Sequence, residues 1–167
     1  YFKQLFAQVT NPAIDPIRED LVMSLMTVIG CADQILTESP SHARLLKLQH
    51  PILSNDDLAR IRTLKDGDFQ SRTLSIGFPG GGRGADLEAA LAGLCQEAEE
   101  ALTNGARLLI LSDKHLAEEQ CPIPALLAVS ALNTHLVGRG LRTGAGLLLE
   151  TGEAREVMHM AVLLGYG

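Results

Sequence analysis

From about Arg72 onward the chain alternates between apolar runs of strand length and longer amphipathic stretches. Thr73-Leu74-Ser75-Ile76-Gly77-Phe78 sets an apolar side chain at every second position, the period of a strand covered on one face. Residues 86–103 then read as a helix closed by Gly105. Leu108-Leu109-Ile110-Leu111 is a continuous apolar run, the pattern of a strand buried on both faces. Residues 124–137 read as a second helix before Gly138 and Gly140, Leu147-Leu148-Leu149 as a third strand, and residues 154–164 as a last helix. Strand–helix alternation three times over predicts a parallel sheet with right-handed crossovers. Three such units make part of a (β/α)8 barrel and are too few to close one. The expected fold is therefore α/β, with residues 71–167 forming three βα units of an incomplete barrel.

Residues 1–70 follow a different pattern. Asn11-Pro12-Ala13-Ile14-Asp15-Pro16 is rich in turn formers, with Asp15 as a helix cap and Pro16 at the first helical position. A helix is expected through Leu21, Leu25 and Val28 to near Gly30, with Met23 and Met26 facing the core. Short helices follow Ser39-Pro40 and Ser54, the latter with Asn55, Asp56 and Asp57 in its first turn. Strand signals are few, so this part reads as a helical arm packed on a larger body.

Composition narrows the function classes. At 167 residues and 46% hydrophobic the chain supports one core. A 4% aromatic share without Trp favours an Ala/Leu/Gly-rich α/β protein over a sandwich. The net charge of −6, with Lys and Arg scattered, excludes nucleic acid as a partner. No apolar run approaches the roughly 20 residues of a membrane span, and no signal peptide is evident. Cys31, Cys95 and Cys121 are far apart and odd in number, which points to a reducing, cytoplasmic setting rather than a disulfide framework. Tyr1 at the start and Leu164-Gly165-Tyr166-Gly167 at the end read as cuts within a longer chain.

Candidate chemistry is sparse. Gly80-Gly81-Gly82-Arg83-Gly84 follows a strand and precedes a helix, as a phosphate loop would. Its spacing fits neither established phosphate fingerprint, and Asp86, expected at the helix cap, would repel an anion. In a barrel-like sheet reactive groups sit at the carboxyl ends of strands. Those positions hold Ser112, Asp113 and Lys114, then Glu150 and Thr151, with Glu153, Arg155 and Glu156 beyond. Asp113 and Glu150 are the candidate pair, and an independent small-molecule binding module would use them. His42, His50, His115, His135 and His159 lack metal-ligand spacing, and His159 is expected to pack. The residues by themselves assign no catalytic, cofactor or metal site.

The opening run Tyr1 to Glu19, with Asn11-Pro12-Ala13-Ile14-Asp15-Pro16 inside it, is similar to the start of the central domain of glutamate synthase large subunits. Pro51-Ile52-Leu53, Leu109-Ile110-Leu111-Ser112-Asp113, Ile123-Pro124-Ala125-Leu126-Leu127, Gly140-Leu141-Arg142-Thr143 and Glu150-Thr151-Gly152-Glu153-Ala154-Arg155-Glu156-Val157 resemble that family in the same order. Thr151, Met158 and Met160 depart from its pattern. The resemblance covers the whole chain. It implies a parent oxidoreductase with amidotransferase activity that makes two glutamates from glutamine and 2-oxoglutarate. In that parent an amidotransferase domain releases ammonia, which passes through a tunnel to an FMN synthase domain. Electrons reach FMN through a 3Fe-4S cluster, from ferredoxin or from an NADPH/FAD small subunit. The resemblance makes this segment part of a rudimentary (β/α)8 FMN-type barrel without flavin, and gives it a connecting role, no cofactor of its own, and a share in the ammonia tunnel at Thr10 and Asn11.

Overall fold

The computed structural model describes residues 16–32, 36–64, 66–81 and 84–167, with the backbone alone described for Pro16 and Leu21. Helix α1 (Pro16–Val22), strands β1 (Thr27–Ile29) and β2 (Leu46–Leu48) and helix α2 (Asn55–Arg62) make up the arm. Strands β3 (Ser71–Ser75) and β4 (Gly77–Pro79), helix α3 (Gly84–Thr103), β5 (Leu108–Ser112), β6 (Gln120–Pro122), α4 (Ala125–Gly138), β7 (Gly146–Glu150) and α5 (Val157–Tyr166) follow. The expected parallel sheet is present in the order β3-β5-β7, and among the described residues it does not close into a barrel. Ser75, Ser112 and Glu150 lie side by side at its carboxyl edge.

All five residues of β5 are buried, as a continuous apolar run requires of a central strand covered on both sides. Leu109 and Leu111 join Leu74 in a core against α3 and α4. Helix α3 presents Leu94, Cys95, Ala98 and Ala101 to it. Helix α4 presents Ala125, Ala128, Val129, Leu132 and Leu136, a stripe at the 3.6-residue period. On the outer side of these helices Glu99 draws His135 Nε2 to 2.6 Å and Arg139 Nε to 3.0 Å. Hydrogen bonds from Arg139 and then His135 hold the Glu99 carboxyl below its ordinary range.

The opposite face of the sheet is covered by the arm. Leu108, Ile110 and Leu148 meet Leu58 and Ile61 of α2, with Ile29, Leu46, Leu53 and Phe69 at the margin. Contact at the start of β7 is close: a Cβ on Gly146 would lie 3.1 Å from the Gly30 nitrogen and 2.8 Å from a Leu108 methyl. Helix α2 is entered through a capping box, in which Ser54 Oγ accepts from the Asp57 N–H and the Asp57 carboxylate accepts from the Ser54 N–H. Ser54→Ala removes the Oγ acceptor while the backbone N–H of residue 54 can still donate to Asp57, and a fall of about 1 kcal/mol in unfolding free energy is expected from urea titration of the chain.

Three local expectations are corrected. Helix α1 stops at Val22 instead of continuing to Gly30, because Thr27-Val28-Ile29 is a β-branched run that pairs antiparallel with Leu46–Leu48. Met23 and Met26 therefore lose their helical spacing and are exposed rather than in the core. Helix α3 starts at Gly84, so Asp86 lies in its first turn and not at the cap. The stretch expected as one strand over residues 73–78 is two: β4 leaves the sheet and pairs antiparallel with β6. Gly80 is held against that ribbon, its N–H donating to the Glu119 carbonyl at 2.5 Å where a Cβ would lie 2.7 Å from the same oxygen. The glycine-rich segment thus begins packed against the β4–β6 ribbon.

Candidate functional site

The groups at the carboxyl edge of the sheet come from three directions. Parallel register sets Ser112 beside Glu150, β5 continues into Asp113 and Lys114, and the last turn of α2 brings Arg62 in from the arm. Arg62 donates to both oxygens of Glu150, at 2.7 and 3.4 Å, and through Nε to Thr73 Oγ1 at 3.4 Å. Ser112 Oγ donates to Glu150 at 2.5 Å and accepts the Lys114 N–H at 3.2 Å. Lys114 Nζ stands 3.7 Å from the same carboxylate. The Glu150 side chain is only 12% exposed and that of Arg62 32%. The Arg62 guanidinium, aided by the Ser112 hydroxyl and opposed by burial, holds the Glu150 carboxyl down at about 2.

Asp113 lies next to this pair but faces the β7–α5 loop. Its carboxylate accepts from Thr151 Oγ1 at 2.5 Å and from the Gly152 N–H at 3.1 Å, while its own N–H donates to the Glu150 carbonyl at 3.2 Å. Thr151 Oγ1 in turn accepts from the Glu153 N–H. Glu153 reaches across to accept the Ala125 N–H at 2.8 Å. Helix α4 has Pro124 at its cap and no side-chain cap of its own, so Glu153 satisfies its first turn from another element. His159 is exposed rather than packed, and its Nδ1 accepts from the Arg155 N–H at the entry to α5.

The edge thus gathers Ser112, Asp113, Lys114, Glu150 and Thr151 as the strand-end rule implies, but every carboxylate in it already has donors. Two hydroxyl–carboxylate contacts are present, Ser112 to Glu150 and Thr151 to Asp113, and in each the carboxylate is already taken up by guanidinium or backbone donors. Glu150 is a carboxylate neutralised in place, poorly suited to proton transfer at neutral pH, since a general base works best with a pKa near the working pH. Arg62 is not singled out from sequence, and Glu153 is noted only as lying beyond the strand ends. Arg62 sits 88 positions from its partner, and no local signal announces a pairing of that range. Thr10 and Asn11 lie outside the described residues.

A cofactor or metal finds little here. The three cysteines lie on separate segments: Cys31 follows β1, Cys95 is on α3 and Cys121 on β6. Burial, with Glu99 nearby, pushes the Cys95 thiol up. Among the described residues no group of three or more His, Cys, Asp or Glu is placed to hold a metal ion, and no helix is long and apolar enough to cross a membrane. Beside the cluster a cleft of about 300 Å³ is lined largely by apolar residues of β1, β2, β7 and α5, with Glu150 and Thr151 also on its wall.

Comparison with known proteins matches residues 1–167 to the family described as the glutamate synthase central domain. The whole chain is 48% identical to the glutamate synthase [NADPH] large chain of Bacillus subtilis, covering 11% of that protein. It is 41% identical over 169 residues to the ferredoxin-dependent glutamate synthase of Pyropia yezoensis, again 11% of its length. To the glutamate synthase [NADH] of Schizosaccharomyces pombe it is 39% identical, over 8% of that length. The chain therefore spans about a tenth of the curated relatives it matches.

Proposed function

Since this chain belongs to the glutamate synthase central-domain family, we propose that it is a structural, domain-connecting and tunnel-lining segment of a glutamate synthase. The parent enzyme converts glutamine and 2-oxoglutarate to two glutamates with reduced FMN. The observation that carries this reading is a self-neutralised strand-end cluster in a chain matched end to end by that family. Where an FMN barrel would keep its reactive positions open, Arg62 from the arm and Glu150 from β7 close on each other. The arm thereby fastens to the sheet, which suits a part that holds neighbouring domains in register.

The residues present do not fit FMN or a 3Fe-4S cluster. The glycine loop lacks a phosphate fingerprint and leads into a helix with Asp86 in its first turn, and the cysteines stand on separate elements. Those groups belong, on this reading, to the FMN synthase domain of the same parent chain, as the glutamine chemistry belongs to the amidotransferase domain. Relatives named for NADPH, NADH and ferredoxin share this segment at similar identity, so the choice of electron donor lies elsewhere. A cytoplasmic site for the parent fits the free cysteines.

The tunnel role is assigned to Thr10 and Asn11, which precede Pro12 in the sequence; a proline-bounded run of turn formers can offer ammonia backbone carbonyls and small polar side chains. Thr10→Val with Asn11→Leu in the full-length enzyme removes the polar side-chain groups at these positions and leaves the backbone carbonyls in place. Glutamate formation driven by glutamine should fall about tenfold, the effect of an added barrier of about 1.4 kcal/mol. Glutamine hydrolysis and glutamate formation driven by added ammonia should persist, with ammonia escaping to solvent. A parallel loss of both routes, or no change in either, would overturn the tunnel assignment. In the same enzyme Asp113→Asn should leave the KM for glutamine and for 2-oxoglutarate unchanged, because Asp113 only buttresses the β7–α5 loop.

A further inference from the structure

No further inference is drawn: the strongest candidate, the apolar cleft of about 300 Å³ beside the edge strand β7, walled by α5 and the β1–β2 ribbon, is an unpartnered face, and nothing in the structure shows what covers it.

Discussion

Ile110→Ala should destabilise the chain by about 3 kcal/mol, as much as Leu109→Ala, its neighbour on the opposite face of the sheet. Both side chains are fully buried on the central strand β5. Leu109 packs into the core formed with α3 and α4, whose Leu and Ala stripe is continuous. Ile110 packs instead against Leu58 and Ile61 of the arm. In each case truncation removes roughly three methyl or methylene groups and leaves a cavity that a close-packed interior fills only in part, so the typical range of about 2 to 5 kcal/mol applies. The comparison is informative because the two positions report on different parts of the chain. Were residues 16–62 a loosely attached linker, Ile110 would sit on a solvated surface and its loss would cost well under 1 kcal/mol. Urea titration of the two variants and the parent sequence, followed by far-UV circular dichroism, gives both values directly. Equal midpoints' displacement, with unchanged slope, is the expected outcome.

That prediction also marks where the sequence was readable. The run Leu108 to Leu111 demanded cover on two faces, and both α3 and α4 announced one of them through periodic Ala and Leu. The second cover was harder to see. It is assembled from pieces of three to eight residues, β1, β2 and α2, whose apolar positions are too few to show a period. The β4–β6 ribbon was hidden for a related reason. Its two strands have three residues each and pair across an intervening helix and strand, so no hairpin turn signals them. The helical spacing of Leu21, Leu25 and Val28 misled because β-branching at Thr27-Val28-Ile29, with a partner 19 positions away, outweighed it. For the candidate site, the rule that reactive groups cluster at strand ends picked out Asp113 and Glu150, and the fold sets both at the carboxyl edge of the sheet. What it does not supply is their partners. Whether a carboxylate at a strand end is available for chemistry depends on residues such as Arg62, brought in by tertiary packing alone.

Glu150→Gln should cost about 3 kcal/mol at neutral pH and should flatten the acid limb of the stability curve. The amide keeps the volume and can still accept from Ser112, but it leaves the half-buried Arg62 guanidinium without a counter-charge. Breaking such a pair from one side is costly because the remaining charge stays desolvated. The pH dependence isolates the same interaction. The Glu150 carboxyl ionises near 2 in the folded chain, against 4.5 ordinarily. A group whose folded value is depressed contributes stability that is complete above the unfolded value and is lost as pH falls toward the folded one. The contribution, about 3 kcal/mol on this linkage, should therefore drain away between about pH 5 and pH 2. Asp57 and Glu99 are also held low, by Ser54 and by Arg139 with His135, so those groups too favour the folded chain less as the pH falls. They are unchanged in the variant, and the difference between the two curves belongs to Glu150. Chemical denaturation at half-unit steps from pH 7 to pH 2 should show the curves converging toward the acid end. Parallel curves would mean that Arg62 and Glu150 do not form the pair that fastens the arm to the sheet. The double variant Arg62→Met with Glu150→Leu tests the sign of the pair itself. Two apolar side chains of similar size leave no orphaned charge, so stability at neutral pH should return to within about 1 kcal/mol of the parent. The acid-dependent loss assigned to Glu150 should be absent.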